Sequence, residues 1–598
     1  MFQSFETTSH PELGAARLNA LRAQMKAQEL DGFLIPRADA FRGEVVAPHD
    51  ERLSWLTGFT GSAGFAAVLA DKAGVFIDGR YTVQVRGQVD LEVYTPVNWP
   101  ATKLQDWLRE NATDGAVIGF DPWLHTRSEI TQVSDALTDR KITFQPTGNL
   151  VDVIWDDQPK PPMAPVTSYP DEFAGRSSAD KRAQIAGDMV EAGQSAVIIT
   201  LPESIAWLLN IRGADITRTP FAHAFAILHA DTSVDLFIAP QKLGGVEFPE
   251  DVRPAPFEHF AEALGTLSGK VLIDKSSAPF AVSEGLEQAN VEVVEGTDPC
   301  ALPRACKTEA EIAGSRAAHR RDAIAMVEFL AWLDEEAPKG TLTEIDVATT
   351  LEGYRRATNQ LKDISFETIA GSGPNAAMAH YRVTEQSNRT IRNGELLLVD
   401  SGGQYLDGTT DITRTVTVGE PTDLHRRCFT LVLKGMIAVS RARWPEGLAG
   451  RDLDPLARYP LWLAGLDYDH GTGHGVGAYL SVHEGPQRIS RTGEQALEPG
   501  MILSNEPGYY REGDFGIRTE NLLCVTEAPA LTGADDRRML SFETLTFVPI
   551  DRRLIDTKLL DDDERNWLDS YHRQTRDRLI DHVSEMARTW LLQATEPL

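Results

Sequence analysis

The sequence predicts a multidomain protein that combines α/β and α+β architecture, and three observations carry that prediction. The chain has 598 residues, too many for a single hydrophobic core. An order of helix, short apolar strand and Trp-Leu with a nearby glycine occurs twice in the first half. The second half opens on a long helical pattern and then mixes helices with strands.

In the first unit, Leu18, Leu21, Met25 and Leu30 fall at roughly helical spacing, and GFLIP follows as a short buried strand. Trp55-Leu56-Thr57-Gly58 comes next, then the apolar runs FAAVLA and GVFI. The stretch DDQPKPPMAP, with four prolines in ten residues, continues neither a helix nor a central strand and reads as a linker. The first α/β domain is therefore expected over 1–158. The second, over 159–305, repeats the pattern as the helical run Lys181–Ala192, the strand SAVIIT and then IAWLLNIRG. Two diverged copies of one α/β fold are the reading. A third domain, 306–598, begins at Thr308, whose spacing to Glu311 is a capping box. The helix it starts carries Ile312, Ala323, Met326, Phe329, Leu330 and Leu333 on one broad apolar face. ELLLVDSG and RTVTVG are expected strands, and the chain from about Asp561 is expected to pack as a terminal helical appendage.

Composition narrows the function classes. Lys and Arg total 58 against 88 Asp and Glu, a formal charge of −30. A surface that acidic repels phosphate backbones and anionic lipid, which argues against nucleic-acid or membrane partners. Four cysteines without paired spacing give neither a disulfide framework nor a zinc site. No basic patch followed by an apolar stretch marks the amino terminus, and no apolar run approaches a membrane span. A cytoplasmic enzyme is expected.

The chemistry concentrates after residue 370. Asp400 closes the apolar strand LLLV, and Asp411 follows eleven residues later between threonines. A carboxylate directly after four buried aliphatics is costly unless paired, protonated or metal-bound. Next, DHGTGHGVGAYLSVHEGP sets His470, His474 and His483 among five glycines. Glycine allows the close backbone approaches that aim a histidine at an ion. SNEPGYY and GIRTEN then supply Glu506 and Glu520, each beside apolar sequence. Four carboxylates and one imidazole favour Mn²⁺, Mg²⁺, Fe²⁺, Co²⁺ or Zn²⁺ over copper. They nearly cancel the charge of two divalent ions and leave room for a bridging hydroxide that attacks a carbonyl.

The ordered set VDSG, TTDITRT, HGTGHGVG, SNEPGYY and GIRTEN resembles the pita-bread metallopeptidases, which include methionine aminopeptidase, prolidase and Xaa-Pro aminopeptidase. SGPNAAMAHYR and HGTGHGVGAYLSVHEGP are similar to the aminopeptidase P branch. GEVVAPHDERLSWLTGFTGSAG, IDGRYTVQ, VDVIWDDQPKPP and ERNWLDSYH resemble other parts of its long, three-domain members. The resemblance implies two related creatinase-like α/β amino-terminal domains before a pita-bread catalytic domain. It implies a dinuclear centre, usually of Mn²⁺, on Asp400, Asp411, His474, Glu506 and Glu520. In that scheme Asp411 and Glu520 bridge the ions, Asp400 binds one, and His474 with Glu506 bind the other. Glu506 also serves as general base. His380 and His483 contact the substrate backbone and the developing oxyanion, while His470, Tyr510 and Arg518 surround the proline ring and the residues after it. Arg80 matches an arginine that reaches substrate. The implied activity is removal of the first residue from peptides with proline second, by a homodimer. Prolidase activity on dipeptides is the alternative, and a silent binding protein that keeps the fold a weaker one.

Overall fold

Leu18, Leu21 and Met25 lie on one buried face of a helix, Gly14–Ala27, that leads into the strand Gly32–Pro36. Burying each such side chain contributes about 1.5–3 kcal/mol. This helix-to-strand step opens a six-stranded sheet in the computed structural model, which describes residues 1–598. The chain divides into two units, Thr8–Asp171 with Arg176–Ala301, and Met1–Thr7 with Glu172–Gly175 and Leu302–Leu598.

In the first of these units, the strand Gly32–Pro36 pairs antiparallel with Phe65–Leu69, which pairs antiparallel with Ala73–Ile77. Thr95–Asn98 adds parallel at that edge. On the other side Val117–Phe120 and then Thr143–Pro146 add parallel. A second six-stranded sheet is built from Ala196–Ile199, Phe225–His229, Val234–Phe237, Val252–Ala255, Lys270–Asp274 and Glu292–Gly296. Its strand order and its sequence of antiparallel and parallel pairings are the same as in the first sheet. The repeated α/β reading therefore holds at the level of topology. The Trp-Leu signatures fall on short helices, Arg52–Thr57 and Pro202–Leu208. DDQPKPPMAP contains neither helix nor strand.

The other unit starts its long helix where the capping box predicted. The Thr308 hydroxyl accepts the Glu311 N–H, the Glu311 carboxylate accepts the Thr308 N–H, and the helix runs Glu309–Glu336. Such a cap is worth about 1 kcal/mol. Met326, Phe329, Leu330 and Leu333 are buried against Leu397, Val399 and Ile412 of a three-stranded sheet. That sheet orders Ile369–Ser372, Leu396–Ser401 and Ile412–Thr417, all antiparallel. A six-stranded sheet carries Gly473–Gly475 between Glu484–Ile489 and Ile502–Asn505, with Asn521–Glu527 next to the latter. The chain end forms two helices, Asp562–Leu579 and Glu585–Ala594. They are more than an appendage: Leu579, Ala587 and Leu591 join the core beneath the long helix, and Tyr571 is buried in a second cluster.

Candidate metal centre

Strand register brings four of the five candidate ligands together in two pairs. Asp400 lies opposite Thr413 in the antiparallel pair Leu396–Ser401 and Ile412–Thr417. Side chains alternate in direction along a strand, so Asp400, Thr413 and Asp411 share one face. Asp411 itself sits one residue ahead of its strand rather than within it. In the larger sheet Asn505 lies opposite Asn521, so Glu506 and Glu520 leave the ends of that pair side by side. The Glu520 N–H donates to the Thr413 carbonyl at 3.2 Å, which ties the two sheets together at the site.

His474 completes the set from the short strand Gly473–Gly475. A Cβ on Gly473 would stand 1.9 Å from the Ser504 carbonyl oxygen, and one on Gly475 2.2 Å from that of Glu484. Only glycine permits strands to close this tightly on the histidine between them. The His474 Nδ1 lies 3.0 Å from the Gly475 carbonyl, so Nδ1 carries the donated proton and Nε2 faces the carboxylates. Nε2 is 3.5 Å from Asp411 Oδ2 and 3.4 Å from Glu506 Oε1. Ser504 bridges from below: its hydroxyl accepts the His474 N–H at 2.9 Å and donates to Glu506 Oε1 at 3.2 Å.

Ligand atoms of Asp411, His474 and Glu520 all lie within 4.8 Å of one another. Asp400 Oδ1, Asp411 Oδ1 and Glu520 Oε1 are buried and accept no hydrogen bond from the protein. Buried oxygens left in that state are rare, because each costs its full desolvation. A converging set of them beside an imidazole nitrogen is the donor set of a hard divalent cation. The electrostatics agree. Burial, with the Asp411 and Glu506 charges adding, pushes Asp400 up to about 7 against the opposing Arg518. Burial and the neighbouring acids hold Glu520 well above the carboxylate range. Burial also raises Glu506, while His474 and Arg518 oppose it. Burial alone would lower His474, but the bond to Asp411 and the Glu506 charge outweigh it and raise the group to about 9. Without a cation the cluster holds protons that a metal would displace.

The remaining candidates divide. His483 is exposed, with its ring edge-on to His474 at a 4.2 Å centroid distance. His470 Nε2 is 2.8 Å from the Tyr510 hydroxyl, and that hydroxyl accepts from Arg518. The fully buried Arg518 donates to Asp400 Oδ2 at 2.6 Å and to the Thr413 hydroxyl at 3.2 Å. It thus touches a candidate ligand directly, a contact beyond the place around the proline ring that the resemblance implies. His380 is partly buried on the loop after Gly373–Ala377. The adjacent Tyr381 hydroxyl anchors that loop to Glu344 at 2.9 Å. In the unit that holds the two α/β sheets, Arg80 is clamped by Asp78, with Nη2 to Oδ2 at 2.7 Å.

Sequence reasoning missed the residues that hold these in place. Asp454, on the helix Gly450–Trp462, accepts from the Thr472 hydroxyl at 2.6 Å and from Arg458 at 2.8 Å. Arg458 in turn donates to the His470 carbonyl at 2.6 Å, and the Thr472 carbonyl accepts the Glu506 N–H at 2.7 Å. The i, i+4 spacing of Asp454 and Arg458 was the one signal present.

The profile of metallopeptidase family M24 matches residues 313–527, and that of the C-terminal region of peptidase M24 matches residues 538–598. Two profiles of the creatinase/prolidase N-terminal domain match residues 17–154 and 157–311. A probable Xaa-Pro aminopeptidase P of Aspergillus fumigatus is 38% identical over 97% of this chain and 92% of its own. The chain belongs to the Xaa-Pro aminopeptidase P family. It is accordingly a metallopeptidase of family M24 with two creatinase-type domains ahead of a pita-bread domain. A probable Xaa-Pro aminopeptidase P of Coccidioides posadasii is 37% identical over 99% of this chain and 95% of its own. Among solved structures, the X-prolyl aminopeptidase of Caenorhabditis elegans, described as a cytosolic enzyme with a di-nuclear active site, matches at a TM-score of 0.93. It is 31% identical, with 98% of this chain and 100% of that one covered. No helix of the chain is long and apolar enough to cross a membrane.

Proposed function

We propose that the protein removes the amino-terminal residue from peptides whose second residue is proline. The observation that carries this reading is the convergence of buried, unpartnered carboxylate oxygens on His474 Nε2 within a family of that activity. Asp400, Asp411, His474, Glu506 and Glu520 would hold two divalent ions, with Mn²⁺ preferred, and Asp411 and Glu520 would be shared between them. Such a pair would make a water more acidic and so a better nucleophile, and would supply positive charge for the scissile carbonyl.

The protein's own groups do the rest. Glu506 takes the proton of the attacking water as general base. His483, exposed beside His474, donates to the developing oxyanion, and His380 holds the substrate backbone. His470, Tyr510 and Arg518 form one hydrogen-bonded wall for the proline ring and the residue after it. A proline amide has no N–H to offer a backbone acceptor and has a fixed ring, so a shaped wall serves where such a hydrogen bond cannot.

Three domains, 1–158, 159–305 and 306–598, make up the functional chain in this reading. A homodimer in the cytoplasm is part of the proposal. Leu456, Tyr459, Trp462 and Leu463 are 39%, 59%, 43% and 73% exposed on one helix and the residue after it, an apolar face suited to a second copy. The net charge of −30 supports peptide rather than nucleic-acid partners.

The test is a tripeptide with proline second, assayed after chelation and again after Mn²⁺ is restored. Release of the first residue only with metal is expected, and Asp411→Asn should abolish both metal retention and turnover. Cleavage of Xaa-Pro dipeptides alone would make the protein a prolidase. Two metal equivalents and normal turnover in Asp411→Asn would refute the ligand set.

A further inference from the structure

The HEGP motif that ends the histidine-rich segment contains a charged residue, Glu484, which the proposed chemistry does not use. Glu484 is buried at 2% exposure, one residue from the exposed His483. It opens the strand Glu484–Ile489, and in register it lies opposite Gly475, the residue after His474. Its main chain is pressed so closely on Gly475 that no Cβ fits between them. The register shifts between His474 and Gly475, so this contact sets the pitch of both histidine-bearing segments.

Two buried cations face the Glu484 carboxylate, one by a hydrogen bond and one as an ion pair. Lys307 Nζ donates to Oε1, and Arg304 Nε lies 3.4 Å from Oε2. The Lys307 side chain is 1% exposed and that of Arg304 2%. Lys307 Nζ also donates to the Arg304 carbonyl at 2.8 Å, and Arg304 Nη2 reaches the Gly485 carbonyl at 3.4 Å. The segment is pinned in its own right, because the Lys307 N–H donates to the Gly500 carbonyl at 3.1 Å. A buried carboxylate between two buried cations is costly to assemble and is held in one geometry once made.

We propose that Glu484 is a positioning residue. Hydrogen-bonded to Lys307 and ion-paired with Arg304, it fixes the main chain at 483–484 and so holds the His483 imidazole against His474. An exposed side chain owes its placement largely to its backbone, which is why a clamp one residue away matters to His483. The proposal rests on the oxyanion role assigned to His483 above.

The test compares the wild type with Glu484→Gln, Lys307→Met and the Glu484→Gln/Lys307→Met pair. The pair is included because Glu484→Gln alone leaves two buried cations facing a neutral amide and can cost folding. The pair removes one charge of each sign and leaves the cluster at its original net charge. Metal content, melting temperature, kcat and KM are measured on the Mn²⁺-loaded full chain with the tripeptide. The expected result is two metal equivalents in the pair, a KM within about threefold of wild type, and a kcat lowered at least tenfold. That floor lies below the roughly 10²–10³-fold loss expected when an oxyanion donor is removed outright, because here the imidazole is displaced and not deleted. Lys307→Arg, which keeps the charge and the donor, should restore most of the turnover. Wild-type kcat in the pair overturns the positioning role. So does a loss of kcat that merely tracks lost metal or lost fold. A wild type with no metal-dependent Xaa-Pro activity would instead overturn the functional reading, and the two failures are separate.

Discussion

The Thr413 hydroxyl donates to Glu520 Oε2 at 2.7 Å, across 107 residues of sequence, and leaves Glu520 Oε1 buried without a partner. One oxygen of the carboxylate is thereby committed to the protein and the other aimed into the site. Thr413→Val keeps the shape and deletes the donor. Metal affinity should fall about tenfold, since partners that orient a ligand carboxylate are worth roughly 10–100-fold. Titration of the chelated variant with Mn²⁺ measures it. Unchanged affinity would mean that strand geometry alone orients Glu520.

Metal uptake should depend steeply on pH. In the metal-free protein Asp400 is pushed up to about 7 and His474 to about 9, and both must lose their protons to serve as ligands. Raised proton affinities mean that protons compete with the ion below these values, so affinity must increase with pH. Between pH 6 and 8 the apparent Mn²⁺ dissociation constant should fall roughly tenfold or more per pH unit. Calorimetry in buffers of different ionisation enthalpy would count the released protons, and binding without proton release would contradict the geometry.

His483→Ala should separate chemistry from metal binding. If the imidazole serves the oxyanion only, kcat falls about 10²–10³-fold while metal content stays at the wild-type level. Loss of metal in this variant would make His483 a ligand.

Arg80 has its guanidinium already engaged by Asp78, which leaves it ordered rather than free to sample solvent. Arg80→Ala should leave metal content and melting temperature unchanged and lower kcat/KM by an amount that varies between dipeptide, tripeptide and pentapeptide. An equal loss on all three with a lower melting temperature would assign Arg80 a purely structural role, and unchanged kinetics none at all.

The stability of the protein should fall on mild acidification in part through His572. Burial lowers this histidine to about 3, and its Nε2 accepts the Ile550 N–H at 3.1 Å, which requires the neutral ring. The unfolded chain takes up the proton near the ordinary value of about 6.5, and the folded chain does so only near 3. Stability from this group is therefore complete above the ordinary value and declines as pH falls toward 3. The linkage amounts to about 2 kcal/mol by pH 5. His572→Gln should show a shallower fall in melting temperature between pH 7 and 5 than the wild type, and an equal slope would place the acid sensitivity elsewhere.

The legibility of fold and site in the sequence depends on which interactions are local. Asp400 could be read from the four aliphatics before it, because an unsupported buried charge is visible wherever a strand is. The glycines about His474 announced a close approach, and Thr308 announced a helix. Thr413, Asp454 and Thr472 could not be read this way. Their roles depend on strand and helix partners far along the chain, and each residue type is ordinary where it stands. Arg518 could be read as a site residue, but its contact with Asp400 could not, since that depends on two sheets meeting. The final helices looked peripheral because charge dominates their sequence, yet Leu568, Tyr571 and Leu579 on one side are enough to seat the first of them in the core.

The two sheets of like topology in the amino-terminal half set a problem during synthesis. A chain that carries the same strand order twice in succession offers each strand two structurally equivalent berths, and mispaired tandem copies are a common kinetic trap. The edges of the two sheets would accept either copy's backbone, since backbone pairing is blind to side chains. Side chains must then do the sorting. The first strands read Gly-Phe-Leu-Ile-Pro and Ala-Val-Ile-Ile, and the third strands Ala-Gly-Val-Phe-Ile and Val-Asp-Leu-Phe, so their bulk differs position by position. The divergence between the two copies is also what lets a nascent chain tell its own halves apart.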